Sequence, residues 1–189
     1  MNQNILKISC FLLILAVIGG SCKKDDFFYA ENGTKNKFQI QKNTVIVKCH
    51  SNAAAIALSE QSIFKSVAMV SDIWIIATIN PRKITIHDIE RNQQNVVSAT
   101  HGLKYKDGTM QYPTDTIFVQ LKNNTSTQDI VNIIDVEKVN SVQLFNPYSM
   151  IYKIGLNVSL SEILPICRKL YESGLCEFAE PNFFRESKK

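Results

Sequence analysis

Polar and apolar positions alternate differently in three parts of the chain. Ile8 to Ile18 form an apolar run broken only by Ser9 and Cys10, with Lys7 as the one charge before it. From about residue 27 to Pro113, short β-branched and aromatic stretches alternate with turn residues. Phe27–Ala30 and 37–40 flank Asn32-Gly33, a pair that readily takes positive φ and predicts a hairpin. Residues 44–49 predict a strand. Residues 52–64 predict a helix capped by Asn52. Residues 67–79 predict one or two buried strands with a break near Ser71-Asp72. Pro81 ends pairing, and 83–95 read as a polar stretch with a short helix. A second hairpin runs from 96–105 into Lys106-Asp107-Gly108.

Beyond Pro113 the pattern becomes regular. Residues 115–121 alternate as a strand. Thr125 to Glu137 place Ile130, Ile133 and Ile134 on one side of a helix. Residues 141–145 and 150–156 predict strands around an Asn146-Pro147-Tyr148 turn. Ser159 and Glu162 have the spacing of a reciprocal capping box. The helix they open puts Ile163, Ile166, Cys167, Leu170 and Tyr171 on one stripe, bent slightly by Pro165 and stopped at Gly174. Residues 176–184 predict the last strand and a tail. The order is βαββαβ. It predicts one antiparallel sheet with both helices on one face and the other face open. Ile117, Val119 and Leu121 are expected to point toward Ile130, Ile134, Ile163 and Leu170.

The first 21 residues read as an export leader: a short positive region, an apolar stretch too short to span a bilayer, then Gly19-Gly20-Ser21. With Cys22 they resemble a bacterial lipoprotein signal, which makes Cys22 the acylated residue. Gly19 stands where such signals usually carry leucine. Lys23-Lys24-Asp25-Asp26 resembles the charged tether of Bacteroidetes lipoproteins. The protein is thus expected in the cell envelope, held to the membrane by an N-terminal lipid. Five divisions follow: a leader, 1–21; a tether with the start of the first hairpin, 22–36; an N-terminal α+β subdomain or extension, 37–112; the βαββαβ module, 113–184; and a tail, 185–189.

Composition narrows the chemistry. Of 189 residues, 21 are Lys or Arg and 17 Asp or Glu. A formal charge of +4 without a basic run argues against a nucleic-acid partner. Three histidines, His50, His87 and His101, lack any partner spacing, and none of the usual nucleophile, zinc or phosphate motifs occurs. No enzyme activity, catalytic residue, metal or cofactor is expected. Past the leader only Cys22, Cys49, Cys167 and Cys176 remain. With Cys22 acylated the number is odd, which favours buried free thiols. Cys167 and Cys176 are too far apart along a helix to be bridged.

One segment brings a family into view. Leu170-Tyr171-Glu172-Ser173-Gly174-Leu175-Cys176-Glu177-Phe178-Ala179-Glu180-Pro181-Asn182-Phe183 resembles the close of subtilisin-like serine protease propeptides. Residues 114–122 resemble their first strand, and Asn146-Pro147-Tyr148 their central hairpin. The resemblance covers 108–184 and implies an α+β, ferredoxin-like propeptide fold. It also implies a partner, a subtilisin-like serine protease, with the protein acting as its inhibitor or folding helper. In that family the open sheet face packs on surface helices of the protease, and the C-terminal tail enters the cleft as an added strand. Carried over, Glu177 and Glu180 meet helix N-termini, Pro181 and Asn182 lead out of the sheet, and Phe183, Phe184 and Arg185 enter the cleft. On this reading the tail after Pro181 is accessible, and truncation after Asn182 leaves the fold intact. No protease module is expected within these 189 residues. Other readings are a tethered surface module for an unrelated protein or glycan, a prodomain remnant, and a cysteine-protease inhibitor, against which the C-terminal motif speaks.

Overall fold

A computed structural model describes residues 27–29 and 34–186. The predicted leader, Cys22, the Asn32-Gly33 turn and the final three residues lie outside the described residues. The protein is a mixed α/β molecule with few helices and an open antiparallel sheet. A first, small hairpin pairs β1 (Phe27–Tyr29) with β2 (Lys35–Lys37).

Two stretches of chain then follow the same order of elements. The first unit comprises β3 (Gln39–Cys49), α1 (Asn52–Ser59), β4 (Phe64–Ser71), β5 (Trp74–Ile79), α2 (Ile86–Glu90) and β6 (Val96–Lys104). Its strands lie side by side as β6-β3-β5-β4. The second comprises β7 (Met110–Leu121), α3 (Thr127–Ile134), β8 (Val139–Asn146), β9 (Ile151–Leu156), α4 (Ile163–Glu172) and β10 (Cys176–Arg185). Its strands lie as β10-β7-β9-β8. In each unit the last strand borders the first, and the first borders the third.

The helices of each unit pack on one face, as the strand periodicity requires. In the first unit Val45, Val47, Cys49, Ile75, Ala77 and Ala99 share a core with Ala54, Ala55 and Leu58 of α1 and Ile89 of α2. In the second, Ile117, Val119 and Leu121 share a core with Ile130, Ile134, Ile163 and Leu170. Gly174 ends α4 with φ +79°, the left-handed value a helix stop favours.

The helix ends differ from expectation. α1 is capped by Ser51 rather than Asn52, and it stops at Ser59 because Phe64 is needed in β4. α3 begins at Thr127, with Ser126 and Asp129 satisfying each other's backbone N–H groups, and it stops at Ile134. Thr85 and Asp88 do the same for α2. The Ser159–Glu162 box is half made. The Glu162 carboxylate accepts from the Ser159 backbone and from Lys138 Nζ at 2.8 Å. The Ser159 hydroxyl makes no cap bond; it meets Ser161 Oγ at 3.0 Å and Ser98 Oγ at 3.4 Å.

β7 crosses position 113, where a division of the chain is predicted. Its start hairpins with β6 through Leu103–Gln111 and Lys104–Met110 pairs, and its remainder belongs to the second unit. Pro113 is accommodated inside it because the β7–β10 ladder shifts register between the Ile117–Pro181 and Pro113–Phe183 pairs, and proline tolerates such irregular positions. The units are also joined by side chains. Lys48 of β3 is ion-paired with Asp115 of β7. The Ser98 hydroxyl accepts from the buried Leu160 N–H at 2.9 Å. Gly102 allows the Tyr112 ring to approach so closely that a Cβ there would stand 2.7 Å from it.

Candidate functional site

Strand alternation decides what each sheet presents on the side away from its helices. In the first unit these positions are Ile46, Trp74 and Ile76, beside the core residues Val45, Val47, Ile75 and Ala77. They are covered. Ile46 is fully buried and Trp74 keeps 7% of its surface; both belong to the core of the second unit, with Tyr112. Phe184 lies edge-on to Trp74, ring centres 5.8 Å apart.

The second unit presents Phe118 and Gln120 between the inward Ile117, Val119 and Leu121. Across the ladder Phe118 stands opposite Lys153, Lys153 opposite Gln143, and Gln120 opposite Ile151. A register shift beside Phe145 turns its ring onto Phe118, with centroids 4.9 Å apart. Phe145 nevertheless leaves 62% of its surface exposed. The β8–β9 turn extends the patch. Asn146 Oδ1 accepts from the Tyr148 and Ser149 N–H groups, and this turn holds Tyr148 98% exposed. Met150 beside it takes φ +50° and is also exposed. Exposed aromatic, methionine and amide groups on a sheet face and its adjoining turn have the make-up of a protein-docking surface.

The residues singled out in the sequence have diverse fates. Cys22 lies outside the described residues. Glu177 is exposed at an irregularity in β10, and Glu180 is half-buried opposite Phe118 in the ladder. Burial, with the Glu180 charge adding to it, raises the Tyr105 phenol above its ordinary pKa. The expectation of a free tail is corrected: β10 does not end at Pro181 but continues to Arg185. Pro181 is buried opposite Ile117, at the register shift that removes the need for its missing N–H. The Asn182 carbonyl accepts from Thr114 Oγ1 at 3.1 Å. Phe183 lies edge-on to Tyr105 at 6.4 Å, Phe184 covers Trp74, and Arg185 pairs with Gln111. The chain's own first unit thus takes up the aromatic residues assigned to a protease cleft. Phe118, Phe145, Tyr148 and Met150 were not singled out. Their signal in the sequence was an aromatic residue, Phe118 or Phe145, among polar outward positions such as Gln120, Gln143 and Lys153.

The remaining reactive groups have structural surroundings. Cys49, Cys167 and Cys176 are buried, separate thiols. Burial pushes Cys49 and Cys176 up to about 11 and Cys167 well above its ordinary value. Such thiols are poor nucleophiles. His50 Nε2 meets the Gln93 carbonyl at 3.1 Å. His101 Nδ1 meets the Thr44 carbonyl at 3.4 Å, and burial lowers its pKa. Among the described residues no group of three or more His, Cys, Asp or Glu side chains could hold a metal ion. Nor, among them, is any helix long and apolar enough to cross a membrane. No protein-family model, curated protein or solved structure matches the chain.

Proposed function

We propose that this protein is a non-catalytic lipoprotein that binds a subtilisin-like serine protease, as its inhibitor or folding helper, through the free sheet face of its second unit. On this reading that unit is a ferredoxin-like, split βαβ propeptide module. Its strand order, β10-β7-β9-β8, and its propeptide-like close at residues 170–183 support the assignment. The observation that carries the proposal is the Phe118–Phe145 pair on that face, with Phe145 62% exposed.

The action is binding. Phe145, Tyr148 and Met150 gain most from leaving water, since each Å² of apolar surface buried contributes about 25 cal/mol. Aromatic anchors at the centre of such a patch dominate binding energies. Lys153 and Gln143 supply polar groups beside the aromatic pair, and Glu177 an exposed carboxylate on β10. The tail contributes less than the resemblance implies. To lie in a cleft as an added strand, Asn182 to Arg185 would first have to leave their partners on β7. The face therefore carries the affinity.

The paired tail also favours a second reading, in which the same face binds a protein that is not a protease. A titration of the mature chain against a panel of serine and cysteine proteases separates the two. Inhibition confined to subtilisin-like enzymes supports the proposal. Failure against every subtilisin-like enzyme tried supports the second reading.

A further inference from the structure

The outermost strands of a sheet present a row of unpaired N–H and C=O groups, and proteins guard such edges with charge, proline or brevity. Three strands close the branches of this sheet: β2, β4 and β8. β2 has only three residues, two of them lysines. β4 carries an exposed Lys65 at its second position. β8 has eight residues, with no charge and no proline. Among the described residues it pairs only with β9. Asn140 to Phe145 are exposed throughout.

Apolar surface collects at the same edge. Of the ten large apolar side chains exposed among the described residues, six lie between Val136 and Met150. The docking face accounts for Phe145, Tyr148 and Met150. Val142 and Leu144 point the other way. They stand opposite Ile154 and Tyr152, and Ile154 belongs to the core beneath the helices. On that covered side they still keep 40% and 46% of their surface exposed. The edge is therefore apolar on both faces of the sheet, and a strand added beside β8 would flank both.

The sequence of β8 suits a second copy of itself. Ser141 to Leu144 pair with β9 in regular register, with the shifts on either side. Laid antiparallel and centred on Gln143, two β8 strands set Val142 of each copy against Leu144 of the other, on the helix side. Gln143 meets Gln143 on the open side. Apolar thus meets apolar, and amide meets amide. Centring on Val142 would set Asn140 against Leu144 instead. With no charge on the strand, no like charges oppose each other in the new ladder. Lys153 is opposite Gln143 on β9. The two copies of Lys153 would stand three strand spacings apart, about 14 Å, beyond the screening length of about 8 Å in physiological salt.

We infer that the protein forms a two-fold dimer by antiparallel pairing of β8 with β8 of a second copy, centred on Gln143. The same patch serves both copies, so the contact closes on itself. The axis stands perpendicular to the sheet, and both Phe118–Phe145 pairs consequently face the same side. The inference depends neither on the lipid at Cys22 nor on the protease reading.

The test uses the chain from position 22 with Cys22→Ser. In that chain the five residue steps from Cys22 to Phe27 span at most about 18 Å. β1, which they join, lies four strands from β8, about 19 Å, so they leave its outer edge free. Sedimentation equilibrium from about 1 to about 500 µM covers the range of a weak complex and should show a monomer–dimer equilibrium. Gln143→Lys and, separately, Gln143→Glu place like charges face to face and should each weaken it about fivefold. Their equimolar mixture should associate at least as tightly as the unsubstituted chain, because opposite charges then face each other. Position 143 is exposed, so both variants should keep the parent's urea midpoint. Ala68→Lys on the β4 edge is the control and should stay within about twofold. A monomer at every concentration would overturn the inference and leave β8 to a strand of another protein. Association unchanged by Gln143→Lys, a mixture no tighter than either variant alone, or an equal loss in Ala68→Lys would also overturn it. So would growth beyond the dimer, which a closed two-fold contact forbids.

Discussion

The two units share an order of elements and of strands, yet their outer sheet faces have opposite fates. In the first, Ile46 and Trp74 are sealed beneath Tyr112 and the Phe184 ring. In the second, Phe118 lies half-buried against Phe145, and Phe145 stays 62% exposed. A split βαβ arrangement leaves one sheet face without helices, and something must cover that face or it remains available. The first unit shows what such a cover looks like here: an aromatic side chain delivered by a neighbouring strand. The second unit offers the same kind of surface with no such delivery from the described residues. The comparison points to the second face as the one a partner meets.

The largest test of this contrast is truncation of the buried aromatic. Trp74→Ala should cost about 3–5 kcal/mol of stability, as for other large core aromatics. Phe145→Ala should change it by no more than about 0.5 kcal/mol, the range of exposed positions. Urea unfolding midpoints of the two variants check both. Comparable losses would mean that the second face is as integral to the fold as the first. Next in size, deleting residues 183–189 should destabilise the protein by about 2 kcal/mol or more, because it uncovers Trp74 and removes three ladder pairs. An unchanged midpoint would restore the free-tail reading.

The joint between the units gives a smaller effect. A double-mutant cycle on Lys48→Met and Asp115→Asn should show coupling of about 1 kcal/mol, since the pair is only partly shielded from water. Zero coupling would leave the seam to apolar packing alone. The smallest effect is a pH dependence. Burial holds His101 below its ordinary 6.5, so the unfolded chain takes up the proton more readily. Its contribution is whole above about 6.5 and is lost as pH falls through that value toward the lowered one. His101→Gln should flatten the stability profile over that range; an unchanged slope would assign the dependence to other groups.

Much of the local structure was legible because it follows from periodicity. The alternation at 115–121, the helical spacing from Ile163 to Leu170 and the stop at Gly174 each reappear in the fold. The break at Ser71-Asp72 divides β4 from β5. What the sequence hid was long-range. That residues 39–104 repeat the arrangement of 110–185 depends on which strands pair, and strand order has no local signature. Pro113 and Pro181 looked like boundaries because proline lacks an N–H, but register shifts in the ladder absorb both. Phe183 and Phe184 looked like anchors for a partner because nothing local shows that Tyr105 and Trp74 await them. The docking face was half legible. Its openness follows from the element order, whereas Phe145 reaches Phe118 only through a bulge that shifts its side of the strand.

The account stands most directly on one comparison of inhibition constants, for the intact mature chain and its Phe145→Asp variant against the same subtilisin-like protease. Equal unfolding midpoints would establish that the variant is folded. The predicted result is inhibition by the intact chain and a loss of at least about tenfold in the variant, as for truncation of an aromatic anchor at an interface centre. Equal potency of the two would contradict the assignment of the second unit's free face as the docking surface.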